Sequence, residues 1–276
     1  MRILAFVLLA VLGLYALGVG ALAFWQRRLI YPGVYDPPRW DRGQPAGTTV
    51  LELTTADGER LHALWKPPAP GCGVVVSFHG NGSLPEPHAE RFAASPWREH
   101  GWGYLAMAYR GYPGSTGRPS EAGLIEDGLT AYRYAAAQAP GAPILLHGHS
   151  LGTGVAVAVA EREAHLGLYL EAPFDSLGHV VRLHVPYMPT RLFLLDTYRS
   201  DERIRRSAQP VMIVAGSEDD IVPAKLAVRL AQGAGQRARL TVIPGDHVSI
   251  LGVRDGEAEA SFRGLFAKPC AAGPAR

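Results

Sequence analysis

The chain opens with a long apolar run. No charged residue occurs across positions 3–25, and 23 residues in helical form would extend about 34 Å, enough to cross a hydrocarbon core. After it the pattern breaks into short periodic segments. Residues 48–54 alternate apolar and polar, Asp57-Gly58 turns the chain, and residues 61–65 alternate again, which predicts an antiparallel hairpin. Val74-Val75-Val76-Ser77-Phe78 is almost wholly apolar, the mark of a strand buried on both faces. Further strands are predicted at residues 103–108, 144–147, 167–170, 211–215 and 240–243. Helical patterns near residues 87–100, 120–139, 153–163, 224–232 and 257–266 fall between or after them. Such strand–helix alternation predicts an α/β fold, a mainly parallel sheet with helices on both faces.

One stretch does not alternate. Residues 175–209 carry dense apolar positions, among them Leu183, Tyr187, Leu192, Phe193 and Leu195, and Pro186 and Pro189 interrupt them. Loops of this length inside a compact domain are uncommon and tend to be functional, so a lid is expected there, with an ordinary packed connection as the alternative. The predicted organisation is therefore an amino-terminal segment, 1–28, and one domain, 29–276, with a lid at about 175–209.

The apolar run has two readings. Arg2 precedes it, Arg27-Arg28 follow it, and Trp25 and Tyr31 sit where interfacial aromatics belong, all consistent with a single-pass anchor. Ala21-Leu22-Ala23 resembles a signal-peptide cleavage site, but the run is long for a secretory signal and favours an uncleaved anchor in the membrane. Arg27, Arg28, Arg39 and Arg42 bias the domain toward the cytoplasm, whereas signal-anchor behaviour points to the other face.

Composition changes this picture little. The chain is 47% hydrophobic and 19% charged with a net charge of +2, and no basic stripe suggests nucleic acid as a partner. Cys72 and Cys270 are the two cysteines, and their spacing leaves open whether they pair. No Cys/His spacing suggests a metal, and His147-x-His149 reads as structural.

The candidate chemistry lies at the strand ends. Gly148-His149-Ser150-Leu151-Gly152 follows a strand and opens a helix, the context of a nucleophile elbow. Serine needs a base held by a carboxylate to act as a nucleophile at neutral pH. In the elbow's chain order the acid and then the histidine come later. Glu218, Asp219 and Asp220 follow the 211–215 strand, and Pro244-Gly245-Asp246-His247 follows the 240–243 strand. Ser150 and His247 are thus candidates for nucleophile and base, with three acids open for the third role. Asp246 is set aside because its neighbour is the histidine itself. Candidate oxyanion donors are the backbone N–H groups of Leu151 and of Asn81, in the loop after the 74–78 strand, where Gly80 and Gly82 would leave room for substrate.

Taken in order, these residues resemble the membrane-anchored α/β-hydrolases related to lysophospholipases and monoacylglycerol lipases, whose domain is often labelled serine aminopeptidase-like. The matching stretches are Phe78-His79-Gly80-Asn81-Gly82, Tyr109-Arg110-Gly111-Tyr112 leading to Pro119-Ser120-Glu121, the 148–152 elbow, Glu171-Ala172-Pro173-Phe174, residues 216–223 and Gly245-Asp246-His247. Arg28-Leu29-Ile30-Tyr31-Pro32 fits the membrane-bound branch. The resemblance selects Asp219 as the triad acid. The family usually carries Asp before Tyr-Arg-Gly-Tyr, and here the residue is Ala108. The implied activity is cofactor-free hydrolysis of carboxylic esters or thioesters of lipid-like acyl chains at a membrane. A serine peptidase or amidase is the alternative enzyme, and a catalytically idle binding protein the alternative from another class.

Overall fold

A computed structural model describes residues 2–36, 39–40, 43–268 and 270. Arg42, counted above among the basic residues, and the last six positions of the predicted domain lie outside the described residues. Arg2–Ile30 forms one continuous helix, α1, whose apolar surface is largely exposed along its first two-thirds. The sheet then begins with the expected hairpin, β1 (Thr49–Thr54) and β2 (Arg60–Lys66), paired antiparallel. β3 (Val74–Phe78), β4 (Gly103–Met107), β5 (Ile144–His149), β6 (Gly167–Glu171), β7 (Val211–Gly216) and β8 (Ala238–Ile243) follow. Among the described residues they form one eight-stranded sheet in the order β1-β2-β4-β3-β5-β6-β7-β8. β2 meets β4 antiparallel and every later pairing is parallel.

Side-chain alternation along the strands sorts the core into two layers. Val74, Val76 and Phe78 point to the layer built with α3 (Glu121–Gln138), α4 (Leu151–Ala160) and α8 (Ala224–Ala234), while Val75 points to the opposite layer. That second layer holds Phe92 of α2 (Pro85–Phe92), Trp97, Trp102 and Phe262 of α9 (Asp255–Arg263). Each such side chain, taken fully out of water, contributes about 1.5–3 kcal/mol. This is why β3 reads as unbroken apolar sequence: neither of its faces meets water.

The α2 pattern expected near 87–100 ends at Phe92, because Pro96 follows four residues later and a residue before proline is pushed out of the helical region. β5 runs two residues further than its apolar pattern, into Gly148-His149, so the strand delivers the chain directly to Ser150. Between β6 and β7 the chain makes α5 (Leu177–His184), α6 (Thr190–Phe193) and α7 (Ser200–Arg203) rather than an open loop. Cys72 and Cys270, left open above, form a disulfide with Cα atoms 4.6 Å apart, tying the start of β3 to a point 198 residues later.

Candidate active site

Ser150 stands between β5 and α4 with φ +51° and ψ −118°, a conformation that costs a non-glycine residue energy and needs enforcement by its surroundings. The enforcement comes from two missing side chains. A Cβ on Gly148 would lie 2.5 Å from the Gly152 carbonyl oxygen, and one on Gly152 would collide with the Phe78 carbonyl. The Ser150 N–H donates to the Glu171 carbonyl at 3.0 Å, which fastens the turn to β6.

The structure brings Ser150, His247 and Asp219 together from three strand ends. Ser150 Oγ lies 2.9 Å from His247 Nε2, and His247 Nδ1 lies 2.7 Å from Asp219 Oδ2. All three are nearly closed off from solvent, at 7%, 8% and 4% exposure respectively. The chain of contacts assigns the tautomer: Nδ1–H donates to Asp219, leaving the Nε2 lone pair for the serine hydroxyl. Asp219 Oδ1 accepts the Ile221 and Val222 N–H groups at 2.9 and 2.7 Å, so one carboxylate oxygen is fixed by the backbone and the other faces the histidine. Glu218 and Asp220 are exposed. Asp246 turns away and accepts the Val248 and Ser249 N–H groups at 3.0 and 2.8 Å.

The two oxyanion candidates line the same cavity as Ser150. Leu151 is the first residue of α4, so its N–H belongs to the turn that has no partner within the helix. Asn81 is held at its carbonyl and at its side chain. Its carbonyl accepts Gly33 N–H at 3.2 Å and Tyr112 Oη–H at 2.9 Å, and its side-chain amide donates to the Ile30 carbonyl at 3.2 Å. Gly80, expected to make room for substrate, instead makes room for a histidine: its Cβ would lie 3.0 Å from His149 Nδ1.

His149 donates from Nε2 to the His247 carbonyl at 3.2 Å. Burial, with His247 nearby, pushes its imidazole down to about 3, so it stays neutral and adds no positive charge beside His247. His147, its partner in the His-x-His pair, is buried deeper along the same strand, with Nδ1 2.9 Å from Ser77 Oγ and Nε2 2.9 Å from Glu171 Oε2. Glu171 also meets Arg91 at 2.6 Å. Burial opposes the Glu171 charge, but Arg91 and His147 outweigh it and hold the carboxyl well below the usual range. The acid of Glu-Ala-Pro-Phe is therefore an internal ion partner beneath the elbow. Arg110, which follows the atypical Ala108, is held through its backbone N–H and Nε by Asp127 and through its guanidinium by Asp57, all at 2.6–3.0 Å, so the loop keeps its hydrogen bonds without an acid at 108.

The cavity above Ser150 measures about 200 Å³ and is mostly apolar, with walls from Leu151, Phe174, Val180, Val181, Met188 and Val222. Four more wall residues come from α1: Leu22, Gln26, Leu29 and Ile30. Sequence reasoning missed these. The available signal was Gln26, a polar side chain next to an uncharged run, which is 5% exposed here.

Comparison with known proteins follows the same lines. An uncharacterized protein of Mycobacterium tuberculosis, Rv2307c, is 39% identical over 253 residues, covering 88% of each chain. The lysophosphatidylserine lipase ABHD12 of Danio rerio is 32% identical over 185 residues, 60% of this chain and 48% of that one. The chain belongs to one family with Rv2307c, and its fold is that of the α/β-hydrolases. No family model matches it. Among solved structures, an α/β-hydrolase from Vibrio vulnificus superposes with a TM-score of 0.68 at 20% identity, covering 87% of this chain and 92% of that one. The Pyrococcus furiosus esterase Pf2001 does so with a TM-score of 0.66 at 18% identity, covering 84% and 99%. These likenesses show that the chain has the α/β-hydrolase fold.

Proposed function

We propose that this α/β-hydrolase is a serine hydrolase that cleaves ester or thioester bonds of acyl-chain substrates, through an acyl-enzyme on Ser150, beside a membrane. The observation that carries the reading is the unbroken path Ser150 Oγ, His247 Nε2, His247 Nδ1, Asp219 Oδ2, with Ser150 lining an apolar cavity. In the first half-reaction Ser150 Oγ attacks the carbonyl carbon while His247 Nε2 takes its proton. The carbonyl oxygen becomes an anion, for which the Leu151 and Asn81 N–H groups are the proposed donors. His247 then returns the proton to the departing alkoxide or thiolate as the carbon–oxygen or carbon–sulfur bond breaks. Water, deprotonated by the same imidazole, releases the acid and regenerates Ser150. Asp219 holds the Nδ1–H tautomer and stabilises the imidazolium.

Lipid-like acyl substrates are favoured by the apolar cavity and by the name of the ABHD12 relative, a lysophosphatidylserine lipase. α1 is long and apolar enough to cross a bilayer, with mean hydropathy 2.5, and we read residues 1–28 as an uncleaved anchor. Supporting this, the end of α1 is built into the domain, with the Ile30 carbonyl accepting from Asn81. Leu177, Val180, Val181, Met188 and Leu194 wall the cavity, and residues 175–209 are read as its lid.

The test is fluorophosphonate labelling of the wild-type chain and of Ser150→Ala, followed by a panel of esters, thioesters and peptides. Labelling and ester turnover in the wild type, both absent in Ser150→Ala, are expected. An unlabelled wild-type chain under non-denaturing conditions contradicts the reading.

A further inference from the structure

The face that α1 turns toward the domain is one continuous stripe. Val19, Leu22, Gln26 and Ile30 recur at intervals of three and four residues, the spacing of one helix face, and Val19, Gln26 and Ile30 are buried. Leu22, Gln26 and Ile30 line the cavity over Ser150. The stripe is hydrogen-bonded to the β6–β7 connection at several heights. Gln26 accepts the Leu195 N–H at 2.8 Å and donates to the Phe193 carbonyl at 3.1 Å. Below it, Arg27 pairs with Asp196 at 3.1 Å. Far above, Tyr15 Oη donates to the Tyr187 carbonyl at 2.9 Å.

That last contact fixes a depth. Tyr15 lies ten residues before Trp25, about 15 Å along a helix. If Trp25 sits at the interface, the chain at Tyr187 lies about as deep as the middle of a 30 Å hydrocarbon core. Its surroundings suit that position: Tyr187, Leu192 and Leu195 are 63%, 79% and 65% exposed, side by side with the equally exposed apolar surface of α1. Exposed apolar side chains gathered in this way are costly in water and mark a membrane contact, while Arg182 and Arg191 of the same connection line a separate polar pocket.

We propose that α1 is a working wall of the acyl subsite as well as an anchor, and that the acyl chain reaches Ser150 from the bilayer, between α1 and α5, past a β6–β7 connection that is itself immersed in lipid. The proposal rests on Ser150 being the acyl acceptor. It names the substrate source: an ester whose chain resides in the bilayer, presented laterally rather than from water. Leu22 and Gln26 on one side and Val181 and Met188 on the other then set the width of the passage, and the anchor cannot be exchanged for another apolar helix without altering chain selectivity.

Two measurements test this on the full chain in phosphatidylcholine vesicles. The first compares kcat/KM for an oleoyl ester dissolved in the bilayer with that for a water-soluble butyryl ester. Leu22→Trp, which fills the passage from the α1 side, is expected to lower the long-to-short ratio at least tenfold. Leu12→Trp, on the same helix but away from the cavity, is expected to leave it unchanged. A ratio unaltered by Leu22→Trp overturns the proposal. The second does not depend on catalysis. A bimane label on Leu192→Cys, in a chain that also carries Ser150→Ala, is expected to be quenched by nitroxide on lipid chains and protected from aqueous nickel chelate. Quenching by the aqueous reagent alone overturns it. If the wild type turns over neither ester, the reading of Ser150 fails, and the label still decides whether the connection lies in lipid.

Discussion

Asp219 shows what separates three neighbouring acids. Its Oδ1 is consumed by two backbone N–H groups and its Oδ2 faces His247, while Glu218 and Asp220 point into solvent. Sequence placed an acid at this strand end but could not choose among three, because the choice depends on how the 216–223 turn folds; the family resemblance supplied it. Asp219→Asn keeps the shape but removes the charge that stabilises the imidazolium, so kcat is expected to fall about 10³–10⁴-fold with KM little changed, checked by steady-state kinetics. His149 and His79 make a second prediction at this scale. Burial pushes His149 down to about 3 and His79 down to about 4, against about 6.5 in the unfolded chain. Between those values the unfolded chain binds more protons, so the stability these neutral rings contribute is complete above about pH 6.5 and is lost as pH falls toward the folded values. At pH 5 the loss is about 2 kcal/mol for each ring. Thermal denaturation from about pH 7.5 to 5 is expected to show Tm falling steadily across that window.

Among the elements, the strands and the elbow were legible in the sequence because their causes are local: alternation for β1 and β2, unbroken apolar sequence for β3, and glycines flanking a serine after β5. The β6–β7 connection was legible only as an apolar stretch of unusual length. Its course is set by distant partners that no local pattern announces. Asp196 accepts Tyr31 Oη–H at 3.0 Å and the Glu121 N–H at 2.9 Å. The Glu121 carboxylate in turn accepts the Thr197 and Tyr198 N–H groups at 2.6 and 2.9 Å and meets Arg203 at 2.7 Å. Tyr198 there adopts φ +42°, a conformation such a clamp must hold. Glu121→Ala strands two backbone donors, a loss of about 1–3 kcal/mol for each, and leaves Arg203 with Glu161 alone as a carboxylate partner. The expected outcome is faster limited proteolysis within residues 175–209 with the β-sheet signal in circular dichroism retained. The wall role of α1 was illegible for a related reason: the composition of an apolar helix reports that it avoids water, not which of its faces meets protein.

In the whole molecule, the Cys72–Cys270 disulfide closes most of the domain into one loop, its ends 198 residues apart. Loops of that size give a disulfide about 2–5 kcal/mol of stabilisation, chiefly by restricting the unfolded chain. Cys270→Ser is expected to lower the denaturation midpoint accordingly, and reductant to do the same to the wild type but not to the variant. Such a bond persists in oxidising surroundings, which favours the non-cytoplasmic face over the weaker bias of Arg27 and Arg28. Alkylation of membranes before any reduction is then expected to modify neither cysteine. The molecule as a whole joins a long apolar helix, an apolar cavity and a serine hydrogen-bonded to histidine into one unit, and the proposal stands on covalent chemistry at that serine. The most direct measurement is rapid-quench mass spectrometry of the chain during turnover of a long-chain ester. A transient acyl group, equal in mass to the substrate's acid less water, is expected on the peptide that contains Ser150. Steady turnover with no adduct on that peptide, or unchanged turnover by Ser150→Ala, would contradict it.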